Sequence, residues 1–127
     1  MQPASNQCLI VDDSEVIRKV GRLIMEQLNY TVTDAESGEN ALEICTEQMP
    51  GLILLDWRMP GMSAQDFLAS LANIESQTRP QVLYCTSEVD RADLSQAFAA
   101  GIADYILKPY DVESLQAKIT SLKSLAN

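Results

Sequence analysis

Short runs of apolar residues recur along the chain, and most of them stop abruptly at a polar residue. The clear runs are Cys8–Val11, Leu52–Leu55, Val82–Cys85 and Tyr105–Leu107. A weaker run covers Tyr30–Thr33. Apolar runs of this length are typical of β-strands that are buried on both faces of a parallel sheet. The pattern therefore predicts five strands.

The segments that follow these runs carry apolar residues at helical spacing, with charged residues between them. In chain order the apolar stripes are Val16, Ile17, Val20, Leu23, Ile24 and Leu28; Ala41, Leu42 and Cys45; Phe67, Leu68, Leu71 and Ile74; Leu94, Ala97 and Phe98; and Val112, Leu115, Ile119 and Leu122. Ser63 with Asp66 predicts a capped start for the third helix, and Asp111 predicts one for the fifth. Asp90 and Gly101 mark the expected start and end of the fourth.

The resulting order is a strand followed by a helix, five times over. Such alternation with short connections predicts a parallel sheet with right-handed crossovers and helices on both faces. The length of 127 residues fits one compact domain. We expect a single domain over residues 1–127, with a core of about 6–125 and no output domain, since the fifth helix runs almost to Asn127.

The charge balance narrows the choice of partners. The formal net charge is −9, from 18 acidic and 9 basic residues. This disfavours binding to nucleic acid, which needs clustered Lys and Arg, and docking on an anionic membrane surface. The chain has no histidine, which excludes Ser-His-Asp and Cys-His catalysis and His-ligated zinc.

The cysteines and the N-terminus indicate the compartment. Cys8, Cys45 and Cys85 lie far apart in apolar surroundings, which is typical of buried thiols in a reducing environment. The first residues have no basic segment before an apolar stretch, so we expect no signal peptide, and no apolar run is long enough to cross a bilayer. We therefore expect a cytoplasmic location.

Several polar residues follow the predicted strands directly. They are Asp12, Asp13, Asp56, Thr86 and Lys108. Ligands of open parallel sheets bind at the carboxyl ends of the strands, so these residues can meet in one small site.

Together these side chains are suited to phosphoryl transfer. Clustered carboxylates repel one another and need a cation, and Mg²⁺ prefers hard oxygen ligands. A carboxylate such as that of Asp56 can attack phosphorus and form an acyl phosphate. The ammonium of Lys108 and the hydroxyl of Thr86 can stabilise the charge on the phosphoryl oxygens. The set is chemically complete for phosphoryl transfer to Asp56.

Four segments, in this order, resemble the motifs of the receiver domains of response regulators, and most closely the single-domain, chemotaxis-regulator-like group. They are Leu9–Ser14, Leu54–Met62, Thr86–Ser87 and Ala103–Tyr110. The resemblance covers essentially the whole chain. It implies a flavodoxin-like, doubly wound α/β fold, (βα)5, with a five-stranded parallel sheet in the order 2-1-3-4-5.

The resemblance also implies a role for each motif residue. Asp56 corresponds to the phosphorylation site. Asp12, Asp13, Asp56 and the backbone carbonyl of Arg58 correspond to the ligands of Mg²⁺ or Mn²⁺. Thr86 corresponds to the switch hydroxyl, Ser87 to a backbone amide that holds a phosphoryl oxygen, and Lys108 to the phosphoryl-binding lysine, with a cis bond to Pro109. Tyr105 corresponds to the aromatic switch, while Arg58 and Glu88 occupy positions that tune dephosphorylation.

The function implied is that of a bacterial signalling switch which catalyses only its own phosphorylation and dephosphorylation. A histidine kinase or a histidine phosphotransfer protein would supply the phosphoryl group. The fourth helix, fifth strand and fifth helix would then bind a downstream protein in chemotaxis, motility or phosphorelay signalling. This output surface would include Tyr105 and residues near Ala97, Lys118 and Lys123. We expect a monomer, with dimerisation on activation left open, and no binding to nucleic acid or membrane.

Three other functions use similar residues or the same architecture. A phosphatase of the haloacid-dehalogenase type would need a second aspartate where this chain has Arg58. A receiver-like scaffold that is not phosphorylated would typically have lost part of the acidic set. A flavodoxin-like cofactor binder would need a glycine-rich loop after the first strand, where this chain has Asp12 and Asp13.

Overall fold

The computed structural model describes residues 6–56, 61–87 and 91–126, with side chains described as far as residue 124. The strands are β1 (Gln7–Val11), β2 (Thr31–Ala35), β3 (Leu52–Asp56), β4 (Gln81–Thr86) and β5 (Asp104–Leu107). The helices are α1 (Glu15–Gln27), α2 (Gly38–Glu47), α3 (Ala64–Ala72), α4 (Arg91–Ala100) and α5 (Val112–Ala126). The strands form one parallel sheet in the order β2-β1-β3-β4-β5. The predicted doubly wound α/β fold is confirmed.

Two strand ends differ from the sequence prediction in a way that affects the site. Asp56 and Thr86 are the last residues of β3 and β4, rather than the first residues beyond them. Their backbones are therefore held by the sheet ladder, which fixes their side chains more firmly than a loop would. The edge strand β2 also begins and ends later than the predicted run of Tyr30–Thr33, because only Val32 and Ala35 are buried and the apolar signal is weak.

The core has two parts, one on each face of the sheet. Alternate residues of a strand point to opposite faces, so Leu9 and Val11 of β1 belong to one cluster while Cys8 and Ile10 belong to the other. The first cluster is covered by α2, α3 and α4, and the second by α1 and α5. All three cysteines are buried and free, as predicted. Burial raises the pKa of the Cys85 thiol to about 12, so it remains protonated at neutral pH.

Side-chain caps define where the helices start. Ser14, Ser37 and Ser63 each accept a hydrogen bond from the backbone amide three residues ahead in α1, α2 and α3. Asp111 accepts one from the amide of Ser114 at the start of α5. Such caps satisfy backbone donors that have no partner within the helix. The predicted caps at Ser63 and Asp111 are confirmed.

Helix α1 buries only part of its apolar surface. Ile24 and Met25 are buried, whereas Val16 and Leu23 are 69% and 64% exposed. The apolar stripe predicted for this helix therefore mixes core residues with surface residues. No helix within the described ranges is long and apolar enough to cross a membrane.

Candidate functional site

Three aspartates come together at the carboxyl edge of the sheet. Asp12, Asp13 and Asp56 each place a carboxylate oxygen within 4.8 Å of those of the other two. Asp12 and Asp56 are buried, whereas Asp13 is exposed. Closely spaced carboxylates repel one another, and hard oxygen ligands of this kind fit Mg²⁺, which keeps several of its waters. The donor set therefore matches the predicted metal.

The sheet and the first cap bring these aspartates together. Strands β1 and β3 are neighbours, and Val11 pairs with Leu55, so the residues that follow them also lie side by side. The amide of Asp12 donates to the carbonyl of Ala35, 3.1 Å away in β2. The amide of Ser14, just before α1, donates to Asp12 Oδ1 over 2.9 Å. This hydrogen bond fixes the orientation of the Asp12 carboxylate.

Lys108 connects two of the three carboxylates. Its Nζ lies 2.9 Å from Asp12 Oδ2 and 3.2 Å from Asp56 Oδ1. Burial by itself would lower the pKa of Lys108, but the hydrogen bond to Asp12 and the charges of Asp56 and Asp12 outweigh it and raise the pKa above its usual value. The lysine is therefore a fixed positive charge within the acidic cluster at neutral pH.

Thr86 and Ser87 lie beside Lys108. The amide of Lys108 donates to the carbonyl of Thr86 over 2.7 Å, and the bond from Lys108 to Pro109 is cis, as predicted. Thr86 is buried, and Ser87 directly after it is exposed. Since Asp56 pairs with Cys85, Thr86 stands one residue further toward the same edge. The structure therefore places both residues at the edge that carries the aspartates.

Tyr105 lies on β5, beside α5. It is half-buried and packs partly against the core cluster under α2, α3 and α4. Lys118 Nζ lies 4.9 Å from the centroid of the Tyr105 ring and 3.0 Å from Asp104 Oδ2. A surface cavity of about 390 Å³ is lined by Tyr105, Lys118 and the exposed Leu107, among others.

The structure also shows how the residues named for the predicted output surface are placed on α4 and α5. Ala97 is fully buried, because α4 packs that side against the sheet, and its neighbour Phe98 is exposed instead. Lys123 Nζ lies 6.0 Å from the ring centroid of Tyr30, which precedes the edge strand β2 at the far side of the sheet from β5. Lys118 does lie beside Tyr105, as predicted.

The predicted roles of Arg58 and Glu88 fall on residues outside the described ranges. This applies to the backbone carbonyl of Arg58 as a metal ligand, and to both side chains as modulators of dephosphorylation. These assignments stay predictions from the sequence.

The sequence analysis missed an ion pair next to the site. Arg18 Nε lies 3.0 Å from Asp34 Oδ2, and Arg18 Nη1 donates to the backbone carbonyl of Asp12 over 2.7 Å. The helical pattern places Arg18 among the charged positions of α1 and gives no partner for it. A signal was available, because Asp34 directly follows the predicted strand Tyr30–Thr33 and so belongs to the same sheet edge.

A doubly wound parallel sheet with an acidic pocket and a lysine at its carboxyl edge is the arrangement expected of an aspartate-phosphorylated signalling module. The chain belongs to the response regulator receiver domain family, whose model matches residues 8–120. Receiver domains are phosphorylation-driven switches of two-component signalling, take their phosphoryl group from histidine kinases and are not conventional enzymes. Family membership thus favours the switch over the phosphatase and the cofactor binder.

Individual relatives show how much of the chain is shared. The chain is 31% identical over 120 residues to the chemotaxis protein CheY of Pseudomonas aeruginosa, covering 94% of this chain and 97% of that protein. It is 31% identical over 121 residues to the transcriptional regulatory protein ResD of Bacillus subtilis, covering 95% of this chain but 49% of ResD. It therefore spans about half the length of ResD. The structure of the Vibrio cholerae chemotaxis protein CheY4 aligns with a TM-score of 0.83 at 25% identity, covering 94% of this chain and 99% of that one.

Proposed function

We propose that this protein is a stand-alone, cytoplasmic response regulator that is phosphorylated on Asp56. The observation that carries the proposal is the contact of Lys108 with both Asp12 and Asp56 inside a cluster of three carboxylates. A single-domain protein over residues 1–127 is supported by the nearly complete coverage of CheY.

In the proposed reaction, a carboxylate oxygen of Asp56 attacks the phosphorus of a phosphohistidine on a histidine kinase or a histidine phosphotransfer protein. The phosphorus–nitrogen bond breaks as the phosphorus–oxygen bond forms, and the imidazole nitrogen leaves with its electron pair. Asp12, Asp13 and Asp56, with the carbonyl of Arg58, would hold Mg²⁺ or Mn²⁺. Bound Mg²⁺ would offset the negative charges of the carboxylates and of the incoming phosphoryl oxygens.

Lys108 would stabilise the product on Asp56. Its Nζ lies 3.2 Å from Asp56 Oδ1, within reach of a phosphoryl group attached to that residue. Its raised pKa keeps it protonated, so its charge is available without a proton transfer. The backbone amide of Ser87 and the hydroxyl of Thr86 would be further donors at the same edge.

The output would follow from a shift between two states of the surface formed by α4, β5 and α5. In the proposed switch, Thr86 moves toward the phosphoryl group and Tyr105 rotates into the space behind it. The half-buried position of Tyr105 and the cavity beside it support this role. The partner would be a chemotaxis, motility or phosphorelay protein, with CheY as the relative that supports the first two.

The test is phosphorylation with acetyl phosphate and Mg²⁺, followed by intact-mass measurement. We expect one labile phosphoryl group on the wild type, and none on Asp56→Asn or in the presence of a chelator. Asp66→Asn is the matched control, because it makes the same substitution at an exposed carboxylate in α3. Phosphorylation that survives in Asp56→Asn, or that proceeds equally without a divalent cation, would contradict the proposal.

A second experiment addresses the output. Wild-type protein in its beryllofluoride-bound form should retain a partner from a lysate that the free form and Asp56→Asn do not retain. Tyr105→Ala should lose the partner while remaining phosphorylatable. Equal retention by all forms would mean that the surface does not respond to Asp56.

A further inference from the structure

Arg18 connects the acidic loop to the edge strand of the sheet. Its Nε lies 3.0 Å from Asp34 Oδ2 in β2, and its Nη1 donates to the backbone carbonyl of Asp12 over 2.7 Å. The side chain is only 16% exposed. An arginine can use two donors in diverging directions because its guanidinium is planar and rigid. A single side chain thus joins α1, β2 and the loop that carries two of the three aspartates.

The carbonyl that Arg18 contacts is part of the peptide between Asp12 and Asp13. A peptide unit is planar, so a hydrogen bond that fixes this carbonyl also fixes the amide of Asp13. On the other side of Asp12, its own amide donates to the carbonyl of Ala35. Both peptides that flank Asp12 are therefore held by β2, one of them directly and the other through Arg18 and Asp34.

Asp13 depends on this anchoring more than Asp12 does. The carboxylate of Asp12 is buried and bonded on both oxygens, by the amide of Ser14 and by Lys108. Asp13 is exposed, yet its carboxylate has to stay within 4.8 Å of two others that repel it. The orientation of its backbone is what directs it there.

We propose that Arg18, braced by Asp34, is a positioning residue for the metal site, because it holds the peptide that directs Asp13 toward Asp12 and Asp56. This inference rests on the proposed function, since the metal it concerns is the proposed Mg²⁺. Partners that orient the residues around a metal typically change its affinity by about 10- to 100-fold when they are mutated.

Charge and position make opposite predictions for Arg18. If the arginine acted only through its charge, removing a cation near the site would strengthen Mg²⁺ binding. If it positions the loop, removing it weakens binding even though the local charge becomes more favourable for the metal. The sign of the change therefore separates the two effects.

Arg22 is a close internal control. It lies one turn further along α1, and its Nη2 is 3.2 Å from Asp34 Oδ1. Its Nη1 donates to the carbonyl of Val32 over 2.9 Å. Like Arg18, Arg22 contacts the Asp34 carboxylate and one backbone carbonyl, but its carbonyl partner lies in β2 and not in the acidic loop. Arg22 also lies 3.7 Å from Glu26 in an ion pair within α1.

The experiment measures Mg²⁺ affinity by calorimetry, with the fluorescence of the single tryptophan, Trp57, as a second signal. We expect Arg18→Gln to lower the Mg²⁺ affinity roughly tenfold. We expect Arg22→Gln to change that affinity less than about twofold. Urea unfolding in a chelator should show that the two variants lose similar amounts of stability. Arg18→Lys keeps the charge but cannot serve both acceptors, so we expect it also to weaken binding. It remains informative if Arg18→Gln does not fold.

Unchanged or stronger Mg²⁺ binding by a folded Arg18 variant would overturn the positioning role. So would an equal loss in Arg22→Gln, because the effect would then be one of general stability. If the wild type itself binds no Mg²⁺, the proposed function fails together with this inference. If the wild type binds Mg²⁺ and only the Arg18 result fails, the proposed function stands.

Discussion

Lys108 affects both the stability of the site and the proposed chemistry. Its ammonium lies within hydrogen-bonding distance of two carboxylates, and its side chain is 16% exposed. Removing a cation that is mostly buried between two anions is destabilising, because it leaves those anions uncompensated. In the proposed reaction, the same cation would be available to a phosphoryl group on Asp56.

Replacing Lys108 with methionine should therefore destabilise the protein most when no metal is present. We expect the free energy of unfolding in a chelator to fall by about 2 kcal/mol, the scale of hydrogen bonds to charged groups. Saturating Mg²⁺ should reduce this difference, because the metal supplies the missing charge. Urea unfolding with and without Mg²⁺ measures both values.

The control for this prediction is Lys19→Met. Lys19 lies 3.5 Å from Glu15 in an exposed helical pair, so its removal should cost no more than about 0.5 kcal/mol.

The pH dependence of the free energy of unfolding gives a further check on Lys108. The pKa of Lys108 is raised above 10.5, so its contribution is complete below that pH and is lost as the pH rises further. Lys108→Met that is as stable as the wild type in a chelator would contradict the prediction.

At the scale of elements, Gly21 decides how closely α1 approaches the sheet. A Cβ atom at this position would lie 2.9 Å from Ile10 Cδ1 and 3.0 Å from the hydroxyl of Tyr110. The glycine therefore allows the helix to rest against β1. The apolar stripe alone could not show which side of α1 faces the sheet. Val16, Val20 and Leu23 fit the helical spacing as well as the buried Ile24 does, and yet they are exposed.

Replacing Gly21 with alanine should test this contact. Alanine is favoured over glycine inside a helix by about 1 kcal/mol, whereas overpacking a core costs about 1–3 kcal/mol. We expect the steric term to prevail, with a net loss of about 1 kcal/mol in the free energy of unfolding.

A double-mutant cycle identifies the clashing atom. Ile10→Val removes the Cδ1 methyl and alone should cost about 0.5–1.5 kcal/mol. Combined with Gly21→Ala it should cost less than the sum of the two single changes. Additive losses would mean that the contact with Ile10 does not limit the position of α1.

At the scale of the whole molecule, the fold could be predicted because a parallel sheet has a characteristic sequence pattern. The buried strands are continuous apolar runs, and their carboxyl ends share an edge, so Asp12, Asp56 and Lys108 could be placed together from their positions alone. What could not be predicted is which side chains contact one another and which of them face the core. The sequence places Asp34 at the same sheet edge, but no motif marks Arg18 as the partner of Asp34 and of the Asp12 carbonyl. The helical spacing likewise does not decide that Ala97 is buried while Phe98 is exposed.

The acidic pocket should also couple the stability of the whole domain to Mg²⁺. A ligand that binds only the folded state stabilises it by about 2.7 kcal/mol at 100 times its dissociation constant. The wild-type midpoint of thermal unfolding should therefore rise steadily with Mg²⁺ concentration.

Asp13→Asn removes one of three carboxylates that repel one another, so in a chelator this variant should be at least as stable as the wild type. It should gain much less stability from Mg²⁺ than the wild type does. Asp66→Asn should respond like the wild type, and KCl at matched ionic strength separates binding from screening. If Asp13→Asn gains as much as the wild type, Mg²⁺ acts on the overall charge of −9 and not at this pocket.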